Sequence, residues 1–381
     1  MSQIPSTLLH SVAEAFHGEG RVLAITPLGS GNVNDTFLVE SVARRSVLQR
    51  INTGVFRQPE QVMHNLAQLD RHVRTKLLEQ PERQHHLLQS RRWDLPQLIK
   101  TRDGSSTWHR CADGGFWRSL SYVPDTTCVD VIEHTAQARE LGLGLGLFHH
   151  LIEDLPVEQL ADTLEDFHIT PAYLDQYHQA LVRSEVVACT GTDHCIAFIR
   201  EREADVAVLE QAKARGELPL RPIHGDPKIN NMLLDQGSGQ AVALIDLDTV
   251  KPGLVHYDIG DCLRSCCNRL GEETTDISSV CFDLELAEAI LDGYFSAASG
   301  LLSPVEIALI PDAARLISFE LGLRFFTDHL RGNTYFKASR PNHNLQRAQV
   351  QFQLSASIEA QLPELRALVE QLAGSHSSAA H

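Results

Sequence analysis

A chain of 381 residues with 43% hydrophobic content can bury a core large enough for two lobes or domains and needs no disulfide to do so. Its formal net charge of -16, from 33 Lys and Arg against 49 Asp and Glu, argues against nucleic acid or an anionic membrane as partner. The opening MSQIPSTLLHSVAEAF lacks the basic start and apolar run of a secretory signal, and no stretch reaches the ~20 apolar residues of a membrane span, so a soluble, cytoplasmic chain is expected.

In chain order, residues 6–16 carry amphipathic helical spacing, and RVLAITPLGSGNVNDTFLVES then reads as strand, glycine turn, strand, with RRSVLQRI as a third strand. A helix is expected over 59–75, where Pro59 suits a first turn, followed by strand-like LPQLIK, STWHRC and FWRSLSYV. After VPDTTC the texture changes. Helical periodicity runs through 133–151, 171–187, 194–214, 284–298, 304–330 and 344–373. A β-rich front lobe over 1–123 and a mainly helical rear lobe over 124–373 follow, with the boundary at Val123-Pro124-Asp125. The tail GSHSSAAH, 374–381, is expected to be disordered.

Eight cysteines form no C-x-x-C pair and are expected to be reduced thiols. Cys262, Cys266 and Cys267 have no second ligand cluster nearby, which favours core packing over a metal site.

The stretch IHGDPKINNMLLDQGSGQAVALIDLDTV, residues 223–250, sets polar side chains between two segments that read as buried strand. Carboxylates and amides so near a core must be paired, bound to metal or held at a cleft. The bland reading is a polar loop. The chemical reading is phosphoryl transfer: Asp226 orients or deprotonates an attacking hydroxyl, Asn231 and Asp246 hold hard divalent ions, and Lys228 balances charge on the phosphoryl group. LGSGNVNDTF offers a phosphate cradle, because Gly29 and Gly31 let backbone N–H groups approach a triphosphate; a glycine turn in a hairpin is more often just a turn, and its order before the Asp/Asn motif favours the cradle.

The stretches HGDPKINN, IDLDTV and HYDIGD resemble the aminoglycoside phosphotransferase and choline kinase superfamily, whose fold is that of protein kinases. Further stretches, VLQRINTGVF, WRSLSYV, DFHIT and LGLRFFTDHLRGNTYFKASRPNHNLQRAQVQ, look like its N-acetylhexosamine 1-kinase group. The resemblance runs from about Leu28 to the last long helix and implies an α+β, two-lobed, protein-kinase-like fold. It implies Asp226 as catalytic base, Asn231 and Asp246 as Mg2+ ligands, and Lys228 as a charge-stabilising or substrate contact. It also implies Gly29, Ser30, Gly31, Asn32 and Asn34 in a loop over ATP, Ser121, Tyr122 and Val123 as the adenine hinge, and Arg324 and Tyr335 facing the sugar. Asp248 is a further contact to metal or substrate on the same ground.

One departure stands out. The superfamily carries a phosphate-gripping lysine on the third front strand, where this chain reads VLQRI and offers Gln49 or Arg50 on opposite faces. The acidic partner on the following helix is equally open, with Glu60 and His64 as candidates. Arg324 has an ordinary alternative, an i,i+4 network with Glu320 and Asp328. His224 and Asp258 are expected to brace the loop, and His168 to be structural. The implied activity is ATP- and Mg2+-dependent phosphorylation of the anomeric hydroxyl of an N-acetylhexosamine. A kinase of another hydroxyl acceptor, an aminoglycoside, choline-like amine or amino alcohol, and a nucleotide-binding pseudokinase are the alternatives.

Overall fold

A computed structural model describes residues 4–29, 33–79, 86–187 and 189–379. Helix α1 (Ser6–His17) precedes strands β1 (Val22–Pro27), β2 (Asp35–Ser41) and β3 (Arg45–Ile51), then α2 (Pro59–Arg74) and the short strands β4 (Leu98–Ile99), β5 (Trp108–Arg110) and β6 (Phe116–Ser121). Among the described residues these strands form one antiparallel sheet in the order β1-β2-β3-β6-β4, with β5 also on β6. One face, with Leu48 and Trp117, packs on Val12, Ala13 and Phe16 of α1. The β3–β6 register sets Gln49 opposite Arg118 and Ile51 opposite Phe116, so those residues share the other face, toward the rear of the molecule.

The chain leaves this sheet at Ser121 and enters β7 (Thr126–Thr127), which joins a small rear sheet. The rear lobe holds α3 (Thr135–Ile152), α4 (Thr170–Arg183), α5 (Thr190–Arg202), α6 (Val208–Ala214), β8 (Arg221–Ile223), β9 (Met232–Asp235), β10 (Ala241–Leu244), β11 (Lys251–Gly253), α7 (Val255–Cys266), α8 (Leu284–Ala298), α9 (Pro304–Ala308), α10 (Ile310–Leu330), α11 (His343–Ala360) and α12 (Leu362–Ala379). The arrangement is the two-lobed, α+β one that the sequence led us to expect. Helices α3 and α8 meet backbone to backbone. A Cβ on Gly142 would lie 1.9 Å from the Ile290 carbonyl oxygen, and one on Gly293 2.0 Å from that of Arg139, so only glycine permits the approach.

Three expectations need correction. The periods 304–330 and 344–373 are each two helices, with Pro311 and Pro363 near the start of the second, because proline's missing N–H and ring suit a first turn and not an interior. Helix α7 was not expected, although Val255, Ile259, Cys262, Leu263 and Cys266 repeat at helical spacing: eleven of its twelve residues are buried, polar ones included, and HYDIGD reads first as a polar motif. The tail is not disordered as far as it is described. Helix α12 continues to Ala379, with the Ser375 hydroxyl donating to the Gln371 carbonyl and His376 lying 2.9 Å from Asp292, a long-range partner that low local propensity does not announce. Cys262, Cys266 and Cys267 are buried in the main core, as packing required.

Candidate active site

Strand β8 delivers the chain to a loop gripped from three sides. Asp258, near the start of α7, accepts the N–H groups of His224 and Gly225, each at 2.7 Å, and its carboxylate lies 2.9 Å from His149 on α3. Burial pushes the Asp258 carboxyl up, but the His149 contact and the His224 N–H outweigh it and hold the group below its usual value. His224 reaches the Ile245 carbonyl at 3.0 Å, and the Thr249 hydroxyl donates to the His224 carbonyl at 2.8 Å. Gly225 adopts φ 87°, and a Cβ there would meet the Thr249 carbonyl oxygen at 2.7 Å, so glycine is required on both counts. His168 completes the grip, 2.7 Å from the Gly225 carbonyl and 2.9 Å from Glu320. All three of these braces, His224, Asp258 and His168, are structural, as the sequence reading had them.

The loop so fixed presents Asp226. Lys228 Nζ donates to Asp226 Oδ2 at 2.7 Å, and although burial pushes the carboxyl up, that ammonium outweighs burial and keeps it below its usual value, so it is ionised at neutral pH. Asn231 donates its Nδ2 to the Asp226 carbonyl at 2.7 Å and to Oδ2 at 3.2 Å; its Oδ1 has no protein donor among the described residues. The Ile245 N–H donates to the Asn231 carbonyl at 2.9 Å, which brings Asp246 alongside. Asp246 sits in the left-handed region at φ 63°, where a short polar side chain is tolerated. Exposed at the cleft but ringed by protein that displaces bulk water, Asp246 has its carboxyl pushed up to about 6, by that desolvation first and then by the charge of Asp248, despite Lys228 and Arg118.

No group of three or more His, Cys, Asp or Glu side chains among the described residues has the arrangement of a metal site. The donors at hand are one amide oxygen and one carboxylate, next to two further carboxylates that repel it. Hard oxygens, a surplus of negative charge and too few protein ligands for a closed cage fit Mg2+, which completes its shell with phosphates and water.

The front wall differs from expectation. Gln49 faces the rear lobe, and its Oε1 accepts from Arg118 Nε at 2.9 Å and Nη2 at 2.7 Å, while its Nε2 donates to Thr36 at 3.2 Å. Arg50 is on the opposite face, near Asp113 at 3.5 Å and over the Trp117 ring, because Leu48 and Trp117 must face α1; it does not reach the cleft. Neither acidic-partner candidate serves Gln49: Glu60 pairs with Arg110 and His64 contacts the Gln159 carbonyl. Arg118, only 1% exposed, forms an ion pair with Asp248 across the cleft. Sequence reasoning missed it, since one arginine in FWRSLS shows its face only once the register against Gln49 is known.

Asp248 is buried and engaged by protein groups. Besides Arg118 it accepts from Asn34 Nδ2 at 2.7 Å. Asn34 in turn accepts the Asn52 N–H at 3.0 Å, so at the end of the glycine turn it links the front sheet to Asp248 of the rear lobe. Gly29 has φ 72° with open space around it, and Ser30, Gly31 and Asn32 lie outside the described residues. At the hinge, Ser121 exchanges hydrogen bonds with Gln97, Arg45 stacks over Tyr122, and the Val123 carbonyl accepts from Thr126.

A cavity of about 640 Å³ opens between the segment after β3 and the rear lobe, lined among others by Asp162, Tyr173, Arg324, Asp328, Tyr335 and Phe336. The helical network proposed for Arg324 does not form. Glu320 is taken by His168 and the Thr170 hydroxyl, and Asp328 by the N–H groups of Thr334, Tyr335 and Phe336 and by Asn344. The guanidinium instead sits over the rings of Phe167, Tyr173 and Phe336, with its carbon 5.1, 5.0 and 5.5 Å from the centroids. Tyr335, 49% exposed, stands beside it in the same wall.

Residues 24–300 match the profile of the phosphotransferase enzyme family. Among solved structures, a microcompartment-associated aminopropanol kinase aligns with a TM-score of 0.64 at 16% identity, over 95% of this chain and 98% of that one. An aminoglycoside phosphotransferase from Alicyclobacillus acidocaldarius aligns at 0.63 and 16%, over 97% and 98%, and a choline kinase from Cryptosporidium parvum at 0.58 and 13%, over 94% and 97%. At these identities the likeness speaks for the fold. No helix among the described residues is long and apolar enough to cross a membrane.

Proposed function

We propose that this chain, which belongs to the phosphotransferase enzyme family, uses ATP and Mg2+ to phosphorylate the anomeric hydroxyl of an N-acetylhexosamine, giving a sugar 1-phosphate and ADP. The observation that carries the acceptor class is Arg324. An aromatic cage beside a kinase loop would suit a cationic amine, but here the chain's own guanidinium fills it, and the nearest carboxylates on its helix are engaged elsewhere. A choline-like or aminoglycoside acceptor would meet like charge. A neutral acetamido sugar brings carbonyl and hydroxyl oxygens to that guanidinium and a ring face to Tyr335. Asp162, Glu165 and Asp166 stand exposed at the rim, where water screens them, and Asp162 already receives Lys251.

On this reading Asp226 orients the attacking hydroxyl and accepts its proton late, since an anomeric hydroxyl is more acidic than an ordinary alcohol. Lys228 keeps Asp226 ionised and faces the charge that builds on the phosphoryl oxygens. Mg2+, held by Asn231 and Asp246, would supply charge neutralisation at the phosphates. Positioning accounts for most of the rate enhancement.

The test is ADP release from ATP and Mg2+ with N-acetylglucosamine, N-acetylgalactosamine, their 1-O-methyl glycosides, choline and an aminoglycoside. Turnover with the free sugars and none with the blocked glycosides is expected. Turnover with a glycoside would move the reaction to another hydroxyl, and turnover with choline or the aminoglycoside would overturn the acceptor class.

A further inference from the structure

The cleft has an unsolved charge problem. Asp226, Asp246 and Asp248 converge where a polyanionic nucleotide must lie, and the fixed cations that oppose them are few. Lys228 is held by Asp226, and Arg264 by Asp261 and Glu272. Arg50 is on the far face of the sheet, and Gln49 brings no charge. On the cleft face of β3 and β6 two cations remain among the described residues, Arg45 and Arg118; Arg45 is at the hinge end, stacked over Tyr122, which leaves Arg118 opposite Asp248.

We propose that Arg118 is the residue that binds the nucleotide's α- and β-phosphates, and that Gln49 and Asp248 hold its guanidinium in place until the nucleotide arrives. Three observations carry this. Gln49 Oε1 receives both Nε and Nη2, which fixes the plane of the guanidinium. Asp248 draws it across the cleft toward the strand end that carries Asp246. Its Nη1 is fully buried and has no hydrogen-bond partner among the described residues, a donor costly to bury unless something comes to meet it. A phosphate oxygen is the acceptor that a nucleotide in this cleft would bring, and the free Nη1 can donate to it without release of the other contacts of the guanidinium.

The inference rests on the chain being an ATP-dependent kinase but not on the sugar, so it is tested without acceptor. Calorimetric titration with adenosine, ADP and ATP in Mg2+ compares the parent, Asp248→Asn, Arg118→Lys, and the double variant Arg118→Met with Asp248→Asn, which leaves no buried carboxylate unpaired. Asp248→Asn keeps the guanidinium and serves as the reference for the double variant. Relative to it, ADP and ATP should bind about 10- to 100-fold more weakly in the double variant, while adenosine binds equally well in both. Arg118→Lys should recover most of the parent affinity for ADP and ATP. Equal loss of adenosine and ATP would reduce Arg118 to a link between lobes, and an unchanged ATP affinity in the double variant would remove it from the phosphate site; either overturns the proposal. A parent that binds no nucleotide would sink both this inference and the kinase reading. A parent that binds ATP yet ignores every sugar would sink the acceptor proposal alone.

Discussion

Asp226 and Arg324 lie close enough to feel each other's charge, yet they are built into the molecule in opposite ways. The loop of Asp226 is held by directed hydrogen bonds from α3, α7, α10 and the chain before α4, and its carboxylate has a fixed partner in Lys228. Arg324 is surrounded by aromatic faces that set its distance but not its rotation, and the carboxylates one turn away have been given other work. The group that meets a reacting atom needs a single geometry. The group that meets a substrate's periphery gains from adapting to it.

That contrast can be broken most severely at the loop. Asp226→Asn should lower turnover by about 10²- to 10⁴-fold with ATP affinity nearly unchanged, read from initial rates and calorimetry; full turnover would remove Asp226 from the chemistry. At the cavity wall, Arg324→Met should raise the acceptor KM by about tenfold, leaving the KM for ATP and the melting temperature alone. A lowered melting temperature with an unchanged acceptor KM would mean that the cage is there for stability. The smallest effect sharpens the bracing. Burial pushes the His168 imidazole down, but the Glu320 carboxylate and the Gly225 carbonyl outweigh it and raise its pKa above 6.5. A raised histidine contributes stability that is full below pH 6.5 and is lost as pH climbs through the folded value. His168→Gln keeps a donor to Gly225 without a titrating charge, so urea unfolding across about pH 6 to 9 should show a downward slope in the parent and a flatter line in the variant. Parallel lines would mean that Glu320 does not hold a charged His168.

The cluster proposed as the catalytic loop could be picked out in the sequence because its residues are neighbours along the chain: Asp226, Lys228 and Asn231 meet within six residues. Asp246 follows a short apolar strand and was equally visible. Arg118 was not, since its role depends on Gln49 across a strand pair and Asp248 from the other lobe. The link that Asn34 makes between the lobes was hidden for the same reason, since its partner Asp248 lies 214 residues away. Helix α7 was missed because its short apolar repeat is crossed by buried polar residues such as His256 and Asp258, whose partners lie far off in the chain, and the extent of α12 because Asp292 does too.

The glycine seam of α3 and α8 bears on how this enzyme could be altered. Those helices carry His149 and Tyr294, the pair standing behind Asp258, and their backbones touch with no side chain between them. A joint of that kind has no slack to absorb a larger residue. Libraries that seek new acceptors should therefore collect their survivors along the aromatic wall around Arg324 and almost none at Gly142 or Gly293, so the plasticity of the enzyme and its rigidity can be diversified separately.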